Sequence, residues 1–119
     1  LYPDRSLEDA LADCRKDCGA VLFIVTLGAE GSRLFLGDIE LTAKAPSIDN
    51  LADTVGAGDT YMASVLCWIV ENGLVSRQSL AGLDAAMLER ASLRAAEAAA
   101  INCQQSGCNP PWRDDLTNL

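Results

Sequence analysis

Residues 53–64 read DTVGAGDTYMAS. Three small residues, Gly56, Ala57 and Gly58, stand between two carboxylates, and the chain is almost wholly apolar from Asp59 to Val70. That order predicts a tight turn entering a buried helix. Glycine lets the backbone turn sharply and approach a ligand, and a helix apolar on all sides has no solvent face. The first turn of such a helix presents N–H groups without intrahelical partners, at the positive end of the helix dipole; together these make an anion site. An acid there is favoured in its ionised form. Ionised, Asp59 can take a proton from a substrate hydroxyl while the nearby N–H groups hold a transferring phosphoryl group. A simpler reading makes Asp59 the N-cap of the helix and the glycines a turn. This stretch alone leaves both open. It is not a Walker A loop, because no Gly-Lys-Ser/Thr follows. Nor is it a dinucleotide fingerprint, because no buried strand leads into it and no G-x-G-x-x-G is completed.

Working outward, VLFIVT (21–26) is a continuous β-branched and aromatic run, which predicts a strand buried on both faces. Gly28 and Gly31 punctuate the next stretch, SRLFL (32–36) alternates as a second strand, and IELTA (39–43) pairs back across a Gly37-Asp38 turn. Upstream, SLEDALADCRKDC (6–18) has helical spacing, with Ser6 and Asp9 as a capping box and Gly19 as a stop. Downstream, Asn72-Gly73 ends the apolar helix, and 76–82 is a short helix or turn. Asp84 caps an Ala-rich helix running towards Gln105, and Pro110-Pro111 prevents continuation. The tail WRDDLTNL (112–119) reads as one last amphipathic turn, with Trp112 clamping it to the domain. Trp68 is read as core, Glu30 as an exposed turn acid, and Arg33 and Lys44 as solvated cations. Helices around strands in this order predict an α/β fold, one end of a three-layer sandwich.

Composition narrows the function. Nine Lys and Arg against seventeen Asp and Glu give a net charge of −8. With no basic run, the chain is expected not to bind nucleic acid through its phosphates. A single nucleotide stays compatible, since backbone N–H groups and a metal ion can neutralise it locally. No apolar run reaches the roughly 18 residues of a membrane span. The absence of His excludes Ser-His and Cys-His catalytic pairs within the chain. The five Cys include no C-x-x-C pair; they are read as reduced and structural, in a cytoplasmic protein. The opening Leu1-Tyr2-Pro3-Asp4, without an initiator Met, is read as the start of a fragment or processed chain.

Three blocks together carry a family resemblance: DTVGAGDTYMAS (53–64), VTLGAEGS (25–32) and ERASLRAAEAAAINCQQSGC (89–108). In order and spacing they closely resemble the second signature, nucleotide loop and Ala-rich helix of the PfkB, ribokinase-like carbohydrate kinases. The resemblance implies the C-terminal portion of a ribokinase-like three-layer α/β/α sandwich, with residues 1–119 holding the nucleotide and catalytic part of one kinase domain. It implies Asp59 as catalytic base and Gly56, Ala57 and Gly58 as the anion hole for the γ-phosphate. Thr26, Gly28 and Gly31 match the loop along which the nucleotide lies, and Asn102 falls where the Ala-rich helix passes the purine. Asp53 and Val55, with the stretch Asn102 to Gly107, lie where many members hold a monovalent cation such as K+. The implied cofactors are ATP and Mg2+, and the implied acceptor is a small-molecule sugar, fructose first. The full-length protein is compatible with a homodimer. Ser64 stands where the signature normally has Gly or Ala, and Tyr61 where Phe is commoner. The family's N-terminal glycine pair, sugar-gripping residues, lid strands and Mg2+-placing acidic motif have no counterpart here. Two other readings are carried forward: a nucleotide-binding but catalytically incomplete piece, and a purely structural α/β fragment.

Overall fold

Ser6 starts the first helix, α1 (Leu7–Cys18), by accepting a hydrogen bond from the Asp9 N–H, and Gly19 ends it in a left-handed conformation. The computed structural model describes residues 4–117. Three five-residue strands follow: β1 (Leu22–Thr26), β2 (Ser32–Leu36) and β3 (Ile39–Ala43). They form an antiparallel sheet in the order β1-β2-β3. Thr26 faces Ser32 and Leu22 faces Leu36 across the first pair; Leu36 faces Ile39 across the second. Three helices complete the chain: α2 (Ala57–Glu71), α3 (Arg77–Ala81) and α4 (Ala85–Cys103).

The period-two alternation of β2 divides the sheet into two faces. Leu34 and Leu36 point into a core with Trp68 of α2 and Leu88 and Ala91 of α4. The odd residues, Arg33 and Phe35, meet α1 instead. Arg33 pairs with Glu8, and the Arg15 guanidinium lies 4.2 Å from the Phe35 ring centre. The sheet is thus sandwiched between α1 on one side and α2 with α4 on the other, the expected three layers. Ala91, Ala95 and Ala98 line up at helical spacing and are all buried. With no side chain beyond Cβ, they let α2 lie close against α4. Burying Trp68 contributes roughly 2–3 kcal/mol.

Four expectations need correction. The strand at 21–26 is half-buried, not buried on both faces, because β1 pairs only with β2 and is an edge strand among the described residues. Helix α2 is not enclosed all round: Met62, Leu66 and Val70 form an outward stripe, 38, 58 and 65% exposed. Trp112 does not clamp the tail, being 83% exposed. The tail is instead anchored by buried Leu116 and by Thr117, whose N–H donates to Glu97. Its 3₁₀ turn spans Arg113–Asp115, and residues 118–119 of the expected turn lie outside the described residues. Arg33 is not a solvated cation; it is paired with Glu8 and Glu40.

One buried polar device joins all three elements around the later site. The Tyr61 hydroxyl of α2 lies 2.8 Å from Ser32 Oγ of β2 and 2.9 Å from Ser92 Oγ of α4. All three residues are buried, so each hydroxyl depends on the others. Tyr61→Phe is expected to cost about 1–3 kcal/mol in urea unfolding, since two serine hydroxyls lose their partner. Adding Ser32→Ala and Ser92→Ala should recover most of that loss. Wild-type stability in Tyr61→Phe would show that the serines find other acceptors.

Candidate active site

The loop before α2 is held in place by residues some fifty positions further along the chain. Asp53 folds over its own backbone: Oδ1 accepts the Val55 N–H at 3.0 Å, and Oδ2 accepts the Gly107 N–H at 3.1 Å. Asn102, fully buried, donates from Nδ2 to the Val55 carbonyl and accepts the Asn109 N–H at Oδ1. The Cys103 carbonyl accepts the N–H groups of both Ala52 and Asp53. The resulting loop leads to Gly56, which has φ +76°, and an added Cβ there would lie 2.3 Å from Cys108 Sγ. Glycine is required at this point on both counts.

Gly56 is the N-cap of α2, and no side chain caps the helix. Asp59 is therefore the third residue inside it, exposed and with no hydrogen-bond partner among the described residues. The N-cap reading of Asp59 does not hold. The Ala57 N–H is used by the Thr54 carbonyl, and the first helical bond runs from the Thr60 N–H to Gly56. The N–H groups of Gly58 and Asp59 are left without an acceptor among the described residues. Two free donors at a helix start, beside an unpaired carboxylate, are what an anion site with a base at its rim would require.

Those donors open onto a groove of about 690 Å³, within the range of small-ligand sites. Thr26 Oγ1 would lie 3.7 Å from a Cβ on Gly58, so β1 ends beside the first turn of α2. From there Gly28–Glu30 form a 3₁₀ turn, closed by the Gly31 N–H donating to the Gly28 carbonyl. Gly31 has φ +102°, and a Cβ there would sit 2.0 Å from the Ala43 carbonyl oxygen. The nucleotide-loop candidate is thus pressed against the chain leaving β3. Ala96, Ala99 and Ala100 of α4 supply a smooth apolar wall opposite, and Lys44 is the single charged residue along the lining.

Of the residues singled out in the sequence, Thr26, Gly28, Gly31, Ala57 and Gly58 meet at this groove. Asn102 is not among the residues lining it; its amide holds the Val55 and Asn109 backbone. Asp53, Val55 and Gly107 meet beneath the loop. The Val55 and Gly107 N–H groups hold the Asp53 carboxyl below its usual range against the opposing effect of burial. Cys103, which sequence reasoning passed over, lines the groove, and burial, followed by the Asp53 charge, pushes its thiol pKa up. No group of three or more His, Cys, Asp or Glu residues suited to a metal ion is found among the described residues.

The Asp53 shift gives a pH dependence. A carboxylate whose folded pKa is depressed stabilises above its unfolded value of about 3.9 and loses that contribution as pH falls through the folded one. Wild type is expected to exceed Asp53→Asn in urea stability at pH 6, with the gap narrowing progressively as pH falls below about 3.9. A gap independent of pH would show that charge is not what holds the loop.

Comparison with known proteins bears on the family and the fold. The pfkB family carbohydrate kinase profile matches residues 3–115. A fructokinase of Rhizobium leguminosarum bv. trifolii is 37% identical over 76 residues, covering 64% of this chain and 23% of the relative. Aminoimidazole riboside kinase from Salmonella enterica superimposes with a TM-score of 0.66 at 27% identity, over 97% of this chain and 36% of that one. Fructokinase from Vibrio cholerae, solved with fructose, ADP and calcium ion, shares the fold with a TM-score of 0.66 at 24% identity, over 87% of this chain and 31% of that one. The chain spans about a quarter of the curated relative's length and about a third of the solved structures. No helix among the described residues is long and apolar enough to cross a membrane. With the profile covering nearly its whole length, the chain belongs to the pfkB family of carbohydrate kinases.

Proposed function

We propose that these residues form the nucleotide-binding and catalytic portion of an ATP-dependent sugar kinase domain, working in the cytoplasm. The observation that carries the reading is the start of α2. Free N–H groups of Gly58 and Asp59 adjoin the unpaired Asp59 carboxylate, at one end of a groove sized for a nucleotide. ATP lies along Thr26, Gly28 and Gly31 with its γ-phosphate at the Gly56–Gly58 turn. Asp59 takes the proton from a sugar hydroxyl as that oxygen bonds to the γ-phosphorus; the bond from that phosphorus to the β,γ-bridging oxygen breaks, and the oxygen leaves with its electron pair as part of ADP. The N–H groups stabilise the charge that spreads over the equatorial oxygens.

Mg2+ would supply charge neutralisation for ATP, but the described residues bring no carboxylate cluster to hold it, so no step here is assigned to it. A monovalent cation such as K+ would have the Asp53 carboxylate and the Val55 carbonyl as its protein oxygens; here the Val55 and Gly107 N–H groups donate to the first and the Asn102 amide to the second. Fructose is the first acceptor to consider, in keeping with the fructokinase relative. Assaying the full-length protein with MgATP against fructose, ribose, 2-keto-3-deoxygluconate and a nucleoside tests the reading. Fructose is expected to give the highest kcat/KM. ATP binding without transfer to any of the four would leave a nucleotide-binding protein and overturn the kinase assignment.

A further inference from the structure

A second polar hollow lies at the opposite end of α2 from Asp59. Glu71 follows Asp59 by twelve residues, which at about 1.5 Å per residue places it about 18 Å away along the helix. The hollow, about 220 Å³, is lined by Trp68, Glu71, Asn72, Arg90, Arg94 and Arg113. In a chain of net charge −8, three of its nine cations converge here against one lining carboxylate. Arg94 is 4% exposed and takes both oxygens of Glu71 through its terminal nitrogens. Arg113 reaches Glu71 only from Nε, at 3.6 Å. Arg90 forms no ion pair with any described residue. Three guanidinium groups thus share one carboxylate: Arg94 holds both of its oxygens, Arg113 reaches it only at longer range, and Arg90 does not pair with it.

The end of a helix ordinarily repels anions through its free carbonyls. Here those carbonyls are covered. The Asn72 N–H and Nδ2 both donate to the Trp68 carbonyl, the Leu74 N–H to Ile69, and the Gly73 N–H to Val70. A further sign of a missing partner is Arg94 Nε, which is buried and has no hydrogen-bond acceptor, as happens where a water or ion completes a site. We propose that this hollow binds a small oxyanion, a phosphate or carboxylate group gripped by the Arg90 and Arg113 forks over the Arg94–Glu71 pair. Guanidinium groups suit both acceptors because their paired N–H groups match two oxygens at once.

The test is a thermal-shift titration of the full-length protein with sodium phosphate and with sodium succinate, against sodium chloride at equal ionic strength. A non-hydrolysable ATP analogue is present throughout, so that phosphate at the first turn of α2 does not contribute. A saturable rise in Tm with phosphate or succinate over chloride is expected. Phosphate alone would indicate a phosphate-bearing ligand; a response to both, any dianionic oxyanion. Arg90→Gln should weaken the response roughly tenfold while leaving the Tm in chloride unchanged, since Arg90 is not part of the ion pair. Arg90→Gln with Arg113→Gln should abolish it. An equal response in that double variant, or no response beyond chloride, would overturn the proposal, whether or not the analogue binds.

Discussion

Replacing Asp59 with Asn in the full-length protein is expected to lower kcat by about 10²–10⁴-fold, the usual contribution of a positioned general base. Nucleotide affinity should stay within a factor of about two, because Asp59 stands at the rim of the groove and is not among the residues lining it. Asn keeps the size and shape of the side chain and removes only its basicity. Folding and catalysis are therefore separable in one variant: unfolding changes little and turnover collapses. A kcat near that of wild type, measured with bound nucleotide confirmed by calorimetry, would remove Asp59 from the base role.

The second large effect is expected from Gly31→Ala. The new Cβ would stand 2.0 Å from the Ala43 carbonyl oxygen and 2.8 Å from the Ala45 nitrogen. Both are backbone atoms, so no side chain can swing aside, and φ +102° is strained for any residue but glycine. A loss of roughly 2–4 kcal/mol in urea unfolding is expected, together with loss of nucleotide binding as the 28–31 turn is forced off the chain leaving β3. Gly28→Ala is the control. It also has positive φ, but nothing lies within 4 Å of the added methyl, so only the backbone cost of about 1 kcal/mol applies. Equal losses in the two variants would mean that the close approach at Gly31 contributes nothing.

The elements of this fold were legible wherever a local signal decided them. Ser6, Gly19, Asp84 and the Asn72-Gly73 stop mark helix ends through caps that act within a few residues, and each was read correctly. The Gly37-Asp38 turn likewise announces the β2–β3 pairing. What the sequence hid was set by distant partners. Whether Asp59 caps its helix depended on the left-handed Gly56, which starts the helix three residues before the acid. Asn102 was placed by the resemblance alone, where the Ala-rich helix passes the purine, and no local signal showed that its amide would hold the loop backbone. The polar stretch from Lys44 to Ile48 carries no periodic pattern, and still forms a wall of the groove. Arg94 sits in the middle of an Ala-rich run with no acid three or four places before it; its partner, Glu71, comes from another helix. Trp112 misled because a large aromatic next to two prolines suggests an anchor, while Leu116 does that work.

The ties from Asn102, Cys103 and Gly107 to residues 52–55 have a consequence for how a ligand is received. A glycine-rich turn left to itself would wander among many shapes, and a guest would have to freeze it. Here the far end of α4 has already fixed the turn, so its ordering cost falls on folding and not on binding. The bare backbone at Gly56–Gly58 is supple by composition and stiff by context.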